Sequence, residues 1–213
     1  MAFNINEVLS EISNSGILKN NKFEVEFGMP PSLLKQENRK DMISANKRVR
    51  LYAEQANIPG VALITGDIRR YGIGPTEKKP IVPVFSDMAI TFRGDGEGQI
   101  LRFMQEWLKT AINFQYGKGI LDKVNGMSAY EIGYKNDTKN QTGYAIDAFV
   151  KVFDDTGIEQ IRILLRQCFP IYVADVPLSW NFRNDYMKIP TVLTFMDWNY
   201  ASTTDAPQQE DQR

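Results

Sequence analysis

Val82-Pro83-Val84-Phe85-Ser86-Asp87-Met88-Ala89-Ile90-Thr91-Phe92-Arg93 sets Val82, Val84, Ser86, Met88, Ile90 and Phe92 on one side of an extended chain and Asp87, Thr91 and Arg93 on the other. Side chains alternate between the two faces of a strand, so the stretch predicts one long strand with one face buried. Gly94-Asp95-Gly96-Glu97-Gly98 then turns the chain. Behind it Ile100, Phe103, Met104, Trp107, Leu108 and Ala111 recur every three or four residues, with Arg102, Gln105, Glu106 and Lys109 opposite. That period belongs to an amphipathic helix whose apolar stripe packs on a sheet, with Asp95 as its N-cap and Trp107 as its core anchor.

Outward from this unit the chain reads mainly as strands. Asn4-Ile5-Asn6-Glu7, followed by Val8, Leu9 and Ile12, predicts a short N-terminal helix ending at Gly16. Lys22 to Phe27 alternates charged and apolar residues and predicts a half-buried strand, stopped by Met29-Pro30-Pro31. Residues 32–47 are polar without a firm period and are expected to form a surface excursion with at most one helical turn. Arg50 to Ala56 predicts a strand, Asn57-Ile58-Pro59-Gly60 a turn, Val61 to Ile68 another strand, and Arg69 to Pro80 a loop. Residues 115–141 are rich in Gly, Asn and Lys, with a short strand expected at Ala129 to Tyr134. Tyr144 to Phe153, Ile158 to Leu165, Ile171 to Val176 and Thr191 to Tyr200 complete the strands, with a turn at Asp154-Asp155-Thr156-Gly157. Residues 201–213 are polar and predict a disordered tail.

Two of these strands carry apolar residues on both faces: Val192-Leu193-Thr194-Phe195-Met196-Asp197-Trp198 and Tyr144 to Phe153. In a small antiparallel sheet the second face is normally wet. Either each strand lies inside a sandwich or barrel covered by a helix, or a neighbouring subunit buries it. The chain of 213 residues fits one domain with insertions first and two small domains second.

Composition excludes much chemistry. The sequence contains no histidine and a single cysteine. It therefore has no Ser-His-Asp triad, no Cys-His pair, no HExxH zinc site and no internal disulfide. Cys168, among Leu164, Leu165 and Phe169, reads as a buried thiol. The net charge of −1 gives the whole molecule no bias toward nucleic acid or anionic lipid. The basic residues Lys35, Arg39, Lys40, Lys47, Arg48 and Arg50 outnumber Glu37 and Asp41 locally, but no aromatic residue stands among them to stack on bases. The first residues carry no basic region ahead of an apolar run, and no apolar stretch is long enough for a membrane span, so synthesis in a reducing cytosol is expected.

The glycine-rich turn at 94–98 lacks the lysine of a phosphate loop and carries two carboxylates that would repel phosphate. Neither it nor Asp154-Asp155 has calcium-loop spacing. The Arg93-Gly94-Asp95 tripeptide and the sequons at Asn136 and Asn140 mark only turns and polar loop. An acid-pair hydrolase needs no histidine, but nothing selects a pair from the 26 acids. That reading and a barrel holding a small apolar ligand stay as alternatives of other classes. No cofactor and no metal are implied.

Taken in order, Phe23 to Phe27, Tyr52-Ala53-Glu54-Gln55-Ala56-Asn57-Ile58-Pro59-Gly60, Arg70-Tyr71-Gly72-Ile73-Gly74 with Pro80, Asp87 to Phe92 and Phe103-Met104-Gln105-Glu106-Trp107-Leu108 resemble the tail tube proteins of contractile-tailed bacteriophages. Phe169-Pro170-Ile171-Tyr172-Val173-Ala174-Asp175-Val176-Pro177-Leu178-Ser179-Trp180 is similar to the family's late strand pair, and Phe195-Met196-Asp197-Trp198-Asn199-Tyr200 to its closing aromatic strand. The resemblance implies a mainly β fold, an antiparallel barrel or sandwich with one flanking helix and a short N-terminal helix, over residues 1–200. It implies a non-enzymatic virion protein, assembled in the host cytoplasm into stacked, hexameric rings. Its partners would be copies of itself, sheath and baseplate proteins, and DNA passing through the bore without specific binding, with no membrane. Inter-subunit contacts fall on Ile58, Pro59, Gly60, Arg69, Arg70, Tyr71, Gly72 and Gly74, with Trp180 and Trp198 joining Trp107 as packing anchors. The stretches 29–47 and 113–141 read as insertions, which a baseplate hub or tube initiator would also carry, and the inner tube of a bacterial secretion machine is a third location for the same fold.

Overall fold

The computed structural model describes residues 5, 9–10, 16, 18–34, 39–69, 72, 75–112, 132–133, 135, 143–181 and 185–202. The expected N-terminal helix lies outside these but for Ile5, Leu9 and Ser10, which are helical, and Gly16. Nearly all of the expected tail, and all of 113–141 but Ile132, Gly133 and Lys135, also lie outside. Of the short strand expected at 129–134, an antiparallel bridge between Ile112 and Ile132 is described.

The protein is mainly β. In chain order its elements are β1 (Phe23–Phe27), α1 (Pro31–Leu34), α2 (Arg39–Tyr52), β2 (Ala53–Ala56), β3 (Val61–Ile68), β4 (Glu77–Phe85), β5 (Met88–Arg93), α3 (Gln99–Ala111), β6 (Ile146–Phe153), β7 (Glu159–Val173), β8 (Lys188–Thr194) and β9 (Asp197–Tyr200). Seven strands form one antiparallel sheet in the order β1-β6-β7-β8-β5-β2, with β9 also on β7; β3 and β4 form a separate two-stranded sheet. The large sheet curls about β7 so that its two halves face a common core: Phe27 of β1 stands 6.4 Å from Phe92 of β5 and 5.8 Å, edge to face, from Trp107 of α3.

Alternation builds that core. Met88, Ile90 and Phe92 pair across the strands with Leu193, Thr191 and Ile189, and all six are buried. Ile100, Phe103, Met104 and Trp107 seal the core from α3. The indole of Trp107 donates to the Tyr144 carbonyl at 2.7 Å, which satisfies the polar atom that burial would otherwise strand.

The structure corrects several expectations. The run from Val82 to Phe92 is two strands, because the chain turns at Ser86-Asp87 and only its second half enters the large sheet. The described residues of the stretch 32–47 form no surface excursion. Residues 39–52 form α2, whose Met42, Ala45 and Val49, at helical spacing, are fully buried beside Leu33 of α1. The helix runs through Tyr52, which shortens the strand expected from Arg50 to β2. The loop expected up to Pro80 ends at Thr76, where β4 begins. Asp95 is not the N-cap of α3; Gly98 is, at φ 66. Asp95 nevertheless accepts from the Ile100 amide at 3.1 Å and from Arg48 Nη1 at 2.9 Å. Burial alone would push its carboxyl up, but the Ile100 and Gln99 amides and Arg48 outweigh that and hold it below its ordinary value.

Two strands expected at 158–165 and 171–176 are one. β7 continues through Gln167, whose φ is 52, and the pairing with β6 slips there. The slip is a bulge: Ile163 and Leu165 point into the core before it, Cys168 and Pro170 after it. Asp147 Oδ1 accepts the Gln167 amide at 3.0 Å. Conversely, the run Thr191 to Tyr200 is broken at Phe195-Met196 into β8 and β9.

The two-sided strands find most of their cover within the chain, although Met196 stays exposed. On β6, Ala148, Val150 and Val152 face the core, and Phe149 on the opposite face is also buried, with the Arg162 guanidinium 5.9 Å from its ring centre. Phe195 and Trp198 are half-buried against the core.

Candidate assembly surface

Among the described residues, the β3–β4 hairpin is left largely uncovered. Its strands pair, among the described residues, only with each other, in the register Val61↔Phe85, Ala62↔Val84, Leu63↔Pro83 and Ile64↔Val82. Directly opposed residues share a face, so one face carries Val61, Leu63, Pro83 and Phe85 and the other Ala62, Ile64, Val82 and Val84. Both faces are apolar. Leu63 is 62% exposed and Ile81 69%, with Val61, Ile64, Val82 and Val84 exposed beside them. Ile81 is the extra residue of a bulge opposite Ile64 and Thr65, and it lies over Gly66, where an added Cβ would stand 2.8 Å from Ile81 Cδ1. Beyond the bulge the arm is polar: Gly66, Asp67 and Ile68 oppose Lys79, Lys78 and Glu77.

The root of the arm is fixed. The Ser86 amide donates to the Gly60 carbonyl at 3.1 Å, the Gly60 amide to Ser86 Oγ at 2.8 Å and the Asn57 amide to the Ala89 carbonyl at 3.1 Å. The Phe85 ring meets Phe195 edge to face at 6.1 Å. An eight-residue strand rises roughly 25 Å from that base. A hairpin of two strands is marginal in water by itself, and apolar faces on both sides raise the cost further.

The candidate contact residues divide along this arm. Ile58 is exposed at the root, while Pro59 is buried and Gly60 is held in the clamp. Arg69 donates to Thr76 Oγ1 at 3.2 Å at the far end, where Gly72 takes a left-handed φ of 72. Arg70, Tyr71 and Gly74 lie outside the described residues. The root and far-end groups are an arm's length apart and do not form one patch. Sequence reading passed over the residues between them. The signal was present, since Val61-Ala62-Leu63-Ile64 and Ile81-Val82-Pro83-Val84 are apolar at every position and therefore on both faces.

At the other end of the sheet, the connection from β7 to β8 carries Leu178 and Trp180. Trp180 is fully exposed and anchors no core in the subunit, which corrects its reading as a packing residue. The family-like motif around it had suggested burial, but the side chain is wholly exposed in the β7–β8 connection. Trp107 is fully buried; Trp198 is half-buried, edge to face with Tyr200 at 5.5 Å. The later limb of the same connection is pinned: Tyr186 donates to Glu54 Oε1 at 2.5 Å, Arg93 and Lys188 each lie 5.3 Å from the Tyr186 ring centre, and the Gly94 amide donates to the Met187 carbonyl at 2.8 Å.

The charged clusters are structural. Asp154 accepts from the Thr156 hydroxyl and from the Thr156 and Ile158 amides, contacts that hold its carboxyl well below its ordinary value and close the β6–β7 turn. Glu26 accepts from Lys151 at 2.5 Å and Glu24 from Arg50, which charges the outer face of the edge strand β1. Burial pushes the Cys168 thiol far above its ordinary range and leaves it unreactive. Among the described residues no group of three or more His, Cys, Asp or Glu side chains could hold a metal, and no helix is long and apolar enough to cross a membrane.

A projecting apolar arm on a curled antiparallel sheet belongs to a protein that joins others, and the family comparison agrees: residues 18–201 match the model of the phage tail tube protein family. The chain belongs to that family. Tail tube proteins are structural and not enzymes. A search of curated protein sequences finds no match. Among solved structures, the chain is similar to one from the baseplate of the anti-feeding prophage, at TM-score 0.55 and 7% identity, covering 89% of this chain and 99% of that one. It is also similar to one from the cap of the same system, at TM-score 0.53 and 12% identity, covering 87% and 91%. At such identities these likenesses speak for the tail tube fold alone.

Proposed function

We propose that this tail tube family member is the repeating subunit of a contractile tail tube, a single domain over residues 1–200 that forms rings of six stacked into a hollow conduit for DNA. The observation that carries this reading is the β3–β4 arm. Its two apolar faces find no cover among the described residues of the subunit, and neighbouring copies would supply it by pairing and packing along its length. The six-fold symmetrised baseplate that contains a similar fold supports the ring number. Sheath and baseplate proteins would bind the outside of the tube. DNA would traverse a bore with few clustered cations, since a densely basic wall would hold the polyanion by counterion release. Assembly would take place in the host cytoplasm, and the product would be part of the virion.

A second reading, a baseplate or tube-initiating component, is favoured by the match to a baseplate structure. Negative-stain electron microscopy of the purified, untagged chain, with light scattering on the same sample, separates the two. Long tubes are expected for the main subunit. Single hexameric rings that never lengthen would move the chain to the baseplate, and a monomer at every concentration would overturn both.

A further inference from the structure

We infer that α2 is an edge guard: it lies along the unpaired side of β1 and keeps that strand from accepting a strand of another copy. β1 ends the large sheet and pairs with β6 alone. At its two ends the Gly28 amide donates to the Asp147 carbonyl at 3.2 Å and the Phe153 amide to the Lys22 carbonyl at 2.9 Å. In an antiparallel pair, opposed residues that exchange bonds alternate with opposed residues that do not. The register Glu24↔Lys151 and Glu26↔Phe149 therefore turns the amides and carbonyls of Glu24 and Glu26 toward β6, and those of Phe23, Val25 and Phe27 away from it. Such a row, left in water, is a template for any passing strand.

Here the row is shut. Val25 is wholly buried, backbone included, and Phe27 nearly so. α2 packs along β1 and against α3. Asn46 Nδ2 donates to the Phe27 carbonyl at 3.1 Å and so fills an acceptor that an added strand would use. Asn46 Oδ1 is buried and accepts nothing, a cost that an apolar residue would not carry, so what the side chain contributes is its donor. Ala45 beside it is wholly buried, and its small side chain lets the helix come close. One turn on, Arg50 pairs with Glu24 and Glu26 of β1. A second set of ties runs to the start of α3: Ser44 Oγ donates to Gln99 Oε1 at 2.8 Å, and Arg48 Nη1 lies 2.9 Å from both Asp95 Oδ2 and Glu97 Oε2. The buried stripe of α2 is only Met42, Ala45 and Val49, so much of its hold is polar and it opens before the sheet beneath it. The arm has the opposite treatment. Among the described residues β3 and β4 pair only with each other and stand exposed. The chain thus closes one edge with a helix and leaves another bare, which steers association away from β1. The guard acts in the lone subunit and goes beyond the tube reading.

The test uses the full-length chain carrying Leu63→Asp, which keeps copies apart and leaves α2 untouched, and follows amide exchange by NMR. The Val25 and Phe27 amides should exchange together with those of α2, with protection about ten-fold below that of the Glu24 and Glu26 amides bonded to β6. Ser44→Ala with Asn46→Ala removes the ties to Gln99 and Phe27 while raising helix propensity. That pair should speed Val25 and Phe27 exchange about ten-fold further and lower about ten-fold the concentration at which thioflavin-binding aggregates form. Tying the helix down again should restore both. For that, Ser44→Cys and Gln99→Cys are bridged by a short bismaleimide in the Asn46→Ala chain, where buried Cys168 does not react. Val25 and Phe27 amides as protected as those of Glu24 and Glu26 would overturn the guard, and so would a released helix that brings no new association. The first measurement keeps α2 intact and decides the matter even if the double variant fails to fold. The tube reading is decided separately, by electron microscopy of the wild type.

Discussion

Val82 and Val84 on β4, and Met88, Ile90 and Phe92 on β5, lie on one side of a single uninterrupted alternation, yet the second group is sealed in the core and the first stands in solvent. The two groups differ in what they pair with. β5 has strands on both sides and α2 packed on it; among the described residues β4 has only β3. Alternation thus reports that an apolar face needs a cover and is silent about which chain provides it. For β5 the cover is intramolecular, and the subunit's folding depends on it. For β4 the cover is missing, and assembly should depend on it instead.

That contrast can be broken or sharpened by substitution. The largest effect on the lone subunit should come from the sealed side. Trp107→Ala is expected to cost about 3–5 kcal/mol, read by urea unfolding of dilute protein, because it opens a large cavity and strands the Tyr144 carbonyl. Next, Asp95→Ala should cost about 2 kcal/mol, since the Ile100 amide and Arg48 lose a carboxylate whose side chain is only 2% exposed. The sign with pH follows from its lowered folded value. The stabilisation is full above the unfolded carboxyl range near pH ~4 and is lost as pH falls through the lower folded value. Thermal melts across acid pH should show that loss in the wild type and a smaller one in Asp95→Asn.

Smaller again is the bulge of β7. Gln167→Val should cost about 1–2 kcal/mol, because a β-branched residue fits the left-handed region poorly, whereas Gln167→Gly should lie within about 0.5 kcal/mol of wild type in the same urea titration. Last comes the arm. Leu63→Asp should move subunit stability by less than about 0.5 kcal/mol while tube formation, followed by light scattering, requires about ten-fold more protein. A loss of several kcal/mol from Leu63→Asp would mean the arm belongs to the folding core and the contrast is false.

Much of the frame was legible because certain segments obey one period throughout. β1 and α3 keep a single phase from end to end, as does the core-facing side of β6, and each stands within a residue or two of its expected place. The failures cluster where a phase is kept across a break or lost without one. Ser86-Asp87 turns the chain yet preserves the two-residue alternation, so one strand was expected where there are two. Gln167 does the reverse: the strand continues, but its extra residue slips the phase, so two strands were expected where there is one. In α2 the buried face is only Met42, Ala45 and Val49 among many charges, a stripe too thin to stand out until its partners on β1 and α3 are known. The arm was the harder case. Its residues are apolar on both faces, and sequence gives no measure of whether other parts of the chain will reach them.

β7 belongs to both halves of the sheet, pairing with β6 up to Cys168 and with β9 up to Arg166, and with β8 from Phe169 onward. A load applied to one half is therefore carried into the other along an unbroken backbone, with no hinge loop to absorb it. A tube built from such units would transmit the thrust of a contracting tail as axial force on its subunits, and each would yield as a whole or not at all.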